Sequence, residues 1–281
     1  MNKLVVVNLI GGLGNQMFQY AVGKALAKKL GGTLKVDIKG FETYFRSYDL
    51  NNFKISAVIA TQEEVSFLKS KNLFFKTKHV YKEKTFCYDS TVFNNKLPVY
   101  LEGYWQSEKY FKDIRQDLLS EFQPKNSLSE YSQGILTKIR SSKNSVSIHI
   151  RRGDYLKPQN QQVHGVCSLE YYQSAIQTLS DEFGQSSYFI FSDDIDWAKS
   201  NLNLNGDATF IDENTGNRSF EDILLMSACE HNIIANSSFS WWGAWLNQNA
   251  NKKVIAPLKW FATQKIESRD IYAQDWTINS L

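Results

Sequence analysis

The stretch LVVVNLIGGLGNQMFQYAVGKALAKKLGGTLKVDI, residues 4–38, decides the fold class. Leu4–Ile10 is an apolar run of the kind a strand buried on both faces requires. Asn15–Leu30 carries Met17, Tyr20, Ala21, Leu26 and Leu30 at helical spacing, and Gly31-Gly32 stops the helix. Thr33–Ile38 reads as a second strand, so the segment predicts a β-α-β unit and hence an α/β protein with a parallel sheet.

Outward from this unit the signal first weakens. Between about 40 and 110 the chain is rich in aromatics and lysines with few clean periods; Gln62–Ser70 and Asp113–Phe122 read as helices and Val99–Glu102 as a strand. Pro124–Lys143, rich in Ser, Lys and Asn with a helix at Tyr131–Arg140, is the candidate boundary between a domain over 1–142 and one over 143–281. Two domains also suit a chain of 281 residues, since single domains run to ~100–150. The second half is regular. Strands at Val146–Ile150, Tyr188–Phe191, Thr209–Ile211, Ile233–Ala235 and Lys253–Ala256 alternate with helices at Leu169–Phe183 (N-capped by Ser168), after Asp196, from Ser219-Phe-Glu-Asp222 to Ala228 in capping-box fashion, and at Phe239–Leu246.

Composition excludes several classes. A hydrophobic content of 42% with 22% charged residues is that of a globular protein, and a net charge of +3 gives no nucleic-acid footprint. Cys87, Cys167 and Cys229 are widely spaced with no Cys-x-x-Cys pair, which argues for reduced thiols rather than a zinc site or a disulfide framework. No apolar stretch is long enough for a membrane span and no signal peptide is evident, so a cytoplasmic protein is expected, with peripheral membrane association through its substrate as the extension. Oligomeric state is not legible.

The chemistry gathers at predicted strand ends. Ser147-Ile-His-Ile-Arg-Arg-Gly-Asp-Tyr155 is an apolar strand that ends in two arginines. Guanidiniums at the carboxyl end of a buried strand need an anion, and Arg is well shaped for phosphate. Side-chain alternation sends Arg151 and Arg152 to opposite faces unless the chain turns, so Arg151 is assigned to phosphate and Arg152 to a local carboxylate such as Asp154. A structural Arg–Asp pair with no ligand is the plain alternative. Gly11-Gly-Leu-Gly14, between strand and helix, places Gly12, Gly14 and Asn15 where backbone N–H groups favour an anion or polar ligand. It lacks the third glycine of a dinucleotide fingerprint because Met17 stands there, although Asp37 could mimic the ribose-binding acid. Ser192-Asp-Asp-Ile-Asp196 offers a metal site at Asp194 and Asp196, a helix cap, or a carboxylate for a guanine edge; recognition or capping ranks above metal because the arginines already supply positive charge. Ser238, Phe239 and Ser240 open a helix and could complete a phosphate cradle, whereas Trp241, Trp242 and Trp245 read as core. His149 is a candidate base or a structural histidine; His79, His164 and His231 have no metal-ligand spacing.

Gly-Gly-Leu-Gly-Asn-Gln-Met-Phe-Gln-Tyr-Ala at 11–21, His-Ile-Arg-Arg-Gly-Asp-Tyr at 149–155, Phe-Ser-Asp-Asp at 191–194 and Asn-Ser-Ser-Phe-Ser-Trp-Trp-Gly-Ala-Trp-Leu at 236–246 resemble, in order, the α-1,2-fucosyltransferases of glycosyltransferase family 11. The resemblance implies a GT-B-like architecture, two Rossmann-type domains facing across a cleft with the GDP-fucose donor held mainly by the C-terminal one. It implies inverting transfer to the 2-hydroxyl of a terminal galactose, with no metal and no cofactor besides the donor substrate. Arg151 would bind the donor β-phosphate, Asp194 beside Ser192 would read guanine, Ser238–Ser240 would contact phosphates or nucleoside, and Asn15 would face the reaction centre. Arg151, Asp154 and His149 are the catalytic candidates, Asp154 being the first choice of base and His149 the second. Another nucleotide-sugar transferase, a sugar-nucleotide or glycan-binding protein without turnover, and a nicotinamide dehydrogenase are the alternatives. The acceptor is not legible; Tyr104-Trp105-Gln106 is a candidate sugar surface, with packing as the plainer reading.

Overall fold

The computed structural model describes residues 3–70 and 79–280, so residues 71–78 of the aromatic-rich stretch lie outside the description. The first unit spans residues 1–126 and takes back 267–271; the second holds the remainder. The division thus falls at the start of the Pro124–Lys143 stretch and not at residue 142. The reason lies in the helix after it. Ser129, its N-cap, donates through its hydroxyl to Glu221 Oε2 at 2.6 Å, which ties that helix to the second unit.

In the first unit, β1 (Leu4–Asn8), α1 (Leu13–Leu30) and β2 (Thr33–Asp37) form the expected β-α-β unit, with Leu4 opposite Thr33 and Asn8 opposite Asp37 in parallel register. β3 (Val58–Ile59), α2 (Gln62–Lys69), β4 (Val80–Lys82), β5 (Val99–Glu102) and α3 (Arg115–Glu121) follow. Among the described residues the parallel sheet runs β3-β2-β1-β5-β4. Val5, Val6 and Val7 are wholly buried at its centre. α1 is buried nearly all round, including Gln16 and Gln19, and both ends of each amide are hydrogen-bonded. Gln16 donates to Gly11 O (3.1 Å) and Ser47 O (2.8 Å) and accepts from the Asp49 and Leu50 amides. Gln19 accepts from Ile10 N and donates to Gly103 O. Asp37, the acid considered for a ribose, is buried and accepts the Tyr100 hydroxyl at 2.6 Å and the Lys39 amide at 3.0 Å.

Helix α1 touches the sheet through Gly23, where a Cβ would lie 2.3 Å from Val7 Cγ2 and 2.8 Å from Leu34 Cδ1. Gly23→Ala would gain about 0.5–1 kcal/mol of helix preference. Overpacking against a stiff β-branched side chain removes about 1–3 kcal/mol and outweighs it. Urea unfolding is expected to show a net loss of about 1–2 kcal/mol.

In the second unit α4 (Glu130–Ser141), β6 (Ser145–Ile150), α5 (Pro158–Gln161), α6 (Leu169–Phe183), β7 (Ser187–Ser192), α7 (Ile195–Asn201), β8 (Ala208–Ile211), α8 (Phe220–Ala228), β9 (His231–Ile233), α9 (Ser238–Leu246), β10 (Val254–Pro257) and β11 (Thr277–Asn279) succeed one another. The sheet is again parallel among the described residues, in the order β11-β10-β9-β6-β7-β8. Val146, Ile148, Ile150, Tyr171, Tyr172, Ala175 and Leu179 build the core between sheet and α6. Trp241, Trp242 and Trp245 are buried and pack on one another, as the core reading required.

Two details depart from expectation. The capping box at Ser219 does not form: a 3-10 turn over Gly216–Arg218 leaves Ser219 already helical, so its hydroxyl makes no cap bond. β9 begins two residues early, at His231. Its polar residues are satisfied inside the sheet, His231 Nδ1 accepting from Lys253 N at 3.0 Å and Asn232 Nδ2 donating to Ser147 Oγ at 2.7 Å. No helix among the described residues is long and apolar enough to cross a membrane.

Candidate active site

The chain leaves β6 toward β7 and β8 on one side, then returns to β9 and continues to β10 and β11 on the other. The direction of travel therefore reverses between β6 and β9. In open α/β sheets ligands bind beyond the carboxyl ends of the strands at such a reversal. The loops there carry Arg151–Tyr155 and Asn236–Ser240.

Ile150 pairs in register with Ser192, so the residues that follow, Arg151 and Asp193, leave the sheet level with each other. Arg151 NH1 lies 2.9 Å from Asp193 Oδ2, and NH2 bonds Asp154. The Arg152 amide donates to Asp193 Oδ1 at 2.8 Å, and its Nε lies 3.0 Å from Asp194 Oδ2. Arg152 also lies over the Trp197 ring at 4.1 Å, a cation–π contact. Asp154 thus pairs with Arg151 and not with Arg152. The backbone turns at Arg152 (φ −132°, ψ −56°) into the 3-10 turn Gly153–Leu156, which brings Asp154 back beside Arg151. Gly153 permits this closeness, since a Cβ there would stand 2.6 Å from Asp193 Oδ2.

Asp194 is the N-cap of α7: Oδ1 accepts from Trp197 N at 3.3 Å, while its own amide donates to Ser192 Oγ at 2.9 Å. The carboxylate therefore caps a helix and holds Arg152. Carboxylate oxygens have about four lone-pair directions, so capacity for a further donor remains. Among the described residues no group of three or more His, Cys, Asp or Glu side chains is gathered as a metal would need.

His149, the last inward residue but one of β6, is 6% exposed and its Nδ1 has no hydrogen-bond partner. Its ring lies 5.7 Å from that of Phe239, in the first turn of α9. Burial, and then the positive Arg151, push its pKa down to about 3, so the imidazole is neutral at pH 7. Ser237 caps α9 by accepting from Phe239 N at 3.3 Å. Ser238 and Phe239 are half-buried, whereas Ser240 is fully buried with its hydroxyl donated to the Ala235 and Ser237 carbonyls. Tyr155 ties the two loops together, its hydroxyl reaching Asn236 O at 3.4 Å.

Arg151, Arg152, Asp154, His149, Ser192, Asp194, Ser238 and Phe239 are thus gathered at one sheet edge. Gly12, Gly14 and Asn15 belong to the first unit. There Gly12 is the N-cap of α1, Gly14 lies buried in its first turn, and Asn15 Oδ1 accepts from Gln106 Nε2 at 2.8 Å. Sequence reasoning missed Asp193, which touches both arginines. The signal was the strand register, because only the Ile150–Ser192 pairing singles it out from its neighbours Asp194 and Asp196.

The sequence profile of Glycosyl transferase family 11 matches residues 1–280. The chain is 35% identical to an alpha-1,2-colitosyltransferase of Escherichia coli, over 98% of each chain. It is 27% identical to the galactoside alpha-(1,2)-fucosyltransferase 1 of Leontopithecus chrysomelas, over 52% of this chain and 42% of that one. Among solved structures, a mutant of Arabidopsis thaliana FUT1 in complex with GDP superposes with a TM-score of 0.58 at 13% identity, covering 90% of this chain and 70% of that one.

Proposed function

The chain belongs to glycosyltransferase family 11, and on that footing we propose that it transfers L-fucose from GDP-β-L-fucose, with inversion and without a metal, to the 2-hydroxyl of a terminal galactose. Its fold is of the GT-B kind, with a parallel α/β sheet in each of two units. One observation carries the proposal. Two guanidiniums follow β6 and the first turn of α9 follows β9, on the two sides of the reversal, so a diphosphate held there would meet cations and backbone donors.

Departure of the sugar leaves an electron pair on the β-phosphate oxygen. Arg151 neutralises that charge, in an orientation already fixed by Asp154 and Asp193, so little reorganisation is needed as the bond breaks. Arg152 and the Ser238–Phe239 turn hold the rest of the diphosphate, and a spare lone pair of Asp194 accepts from the guanine edge. The acceptor hydroxyl gives up its proton as it attacks the anomeric carbon. Asp154 is the first candidate to receive it, because a carboxylate held on Arg151 through one oxygen keeps lone pairs for a proton; His149, with its depressed basicity, is the second. A cytoplasmic site of action, with loose membrane association through the acceptor, goes with a sugar-nucleotide donor.

A second reading rests on the 35% identity to a colitosyltransferase. Colitose is fucose without its 3-hydroxyl, and the diphosphate chemistry above is the same for either sugar. GDP release from GDP-fucose and from GDP-colitose, with lactose as acceptor and EDTA present, separates the two. Turnover of GDP-fucose at least tenfold faster is the expected result. Preference for GDP-colitose would replace the donor, and loss of all turnover in EDTA, restored by a divalent ion, would overturn the metal-free mechanism.

A further inference from the structure

The first unit holds a reversal of its own. The chain passes from β1 outward to β2 and β3, then returns to build β4 and β5 on the other side, so β1 and β5 flank the crevice. The first turn of α1, which follows β1, carries Asn15, and the turn after β5 carries Trp105 and Gln106. The Asn15–Gln106 bond, 2.8 Å long, joins the two turns.

Three features set this turn apart. Trp105 adopts φ +59°, a left-handed conformation that a bulky side chain rarely takes. Its indole Nε1 is buried without a hydrogen-bond partner. Gln106, only 7% exposed, uses Nε2 on Asn15 and leaves Oε1 buried and unpartnered. Exchanging the O and N of both amides still leaves one polar atom of Gln106 unused, a donor in place of the acceptor. Buried orphans of this kind are destabilising, and two on adjacent residues, in a strained turn at a ligand-binding edge, mark a site completed by something else.

The turn is held from beneath by Glu83, whose two carboxylate oxygens accept from the Tyr104 amide at 2.6 Å and the Trp105 amide at 2.9 Å. That charge is spent on the backbone. What is left unpaired is the buried indole N–H of Trp105 and one buried amide atom of Gln106, both neutral. An anion finds no cation in this set, and an apolar ligand would leave both atoms unsatisfied. A hydroxyl-bearing, uncharged ligand satisfies both, because each hydroxyl donates and accepts.

We propose that Gln106, gripped by Asn15 and flanked by the Trp105 indole, binds a hydroxyl of the acceptor sugar and sets which acceptor is used. This rests on the transferase reading above, and deepens it by assigning the acceptor side.

Gln106→Met removes the amide at similar length, and Trp105→Phe removes the indole N–H along with part of the buried ring, so kinetics are compared on variants with native circular dichroism. Each is expected to raise the acceptor KM by about 10–100-fold, the range for a lost buried hydrogen bond, while the donor KM stays within twofold. Monodeoxy acceptors sharpen the reading: one deoxygenation should slow the native protein about tenfold yet leave Gln106→Met indifferent. A folded Gln106→Met protein with native acceptor kinetics, or one in which donor and acceptor constants move together, overturns the inference while leaving the transferase reading intact. Should the native protein transfer neither sugar, that reading fails by itself. Titration of the GDP-loaded protein with a methyl β-galactoside then decides: weaker binding by Gln106→Met upholds the inference, and equal binding or none overturns it.

Discussion

Arg151→Ala is expected to lower kcat for GDP release by about two to three decades, the effect of losing one preorganised charge contact, or ~2.7–4 kcal/mol, at a developing anion. Its position explains the size. β6 is central in its sheet and buried along its length, so the residue that follows inherits a rigid base. Asp154 and Asp193 direct two of the five guanidinium N–H donors, and the remaining donors can meet phosphate without the side chain reorganising. Removing the cation also leaves these two carboxylates facing an anionic donor, so KM for the sugar nucleotide should rise as well. Arg151→Lys should recover little, since a point charge cannot span two carboxylates and a phosphate. Kinetics in EDTA on proteins with native circular dichroism test this. Retention of activity within tenfold by Arg151→Ala would remove the phosphate role and leave Arg151 as a structural partner of Asp154.

The sequence made the centre of each sheet legible and its margins obscure. β1 and β7 announce themselves by unbroken apolar runs, and β2 and β6 by apolar residues at every second position. β3 and β4, at opposite edges of their sheet, and the outermost β11 are two or three residues long, with Val58 and Ile59 more than half exposed, so no period can develop. β9 was displaced because His231 and Asn232 look like loop residues until their partners on β10 and β6 are known. The arginines of the site were legible for the same reason as the core: a charge directly after an apolar strand demands an explanation. Their partners were not. Whether Asp154 meets Arg151 or Arg152 depends on one backbone turn, and the part of Asp193 depends on the β6–β7 register. Gln106 was quoted only as one of three possible sugar-contacting residues, since nothing local distinguishes an orphaned amide from a satisfied one.

His149 should set much of the acid limit of stability. Its folded pKa is about 3, lowered first by burial and then by Arg151, against about 6.5 in an unfolded chain. Between those values the unfolded chain binds a proton that the folded chain refuses. Stability therefore rises with pH through this window, and falls as pH drops below about 6.5 toward 3, by about 1.4 kcal/mol per pH unit. At about pH 4.5 the deficit is about 2–3 kcal/mol relative to neutrality, a large part of the 5–15 kcal/mol that hold a typical domain together. His149→Leu removes the titration. It breaks no bond at Nδ1, which has none, and keeps the backbone carbonyl that accepts from the Tyr172 hydroxyl at 3.2 Å. The variant should therefore lie within about 1.5 kcal/mol of the native protein at neutral pH. It should lose about 2–3 kcal/mol less than the native protein on acidification to about pH 4.5. His164 and His231, also depressed by burial, act in the same direction in both proteins and cancel in the difference. Urea unfolding at the two pH values supplies the comparison. Parallel acid limbs would mean that His149 takes up its proton in the folded protein, and that Asp154 has a rival of ordinary basicity for the acceptor's proton.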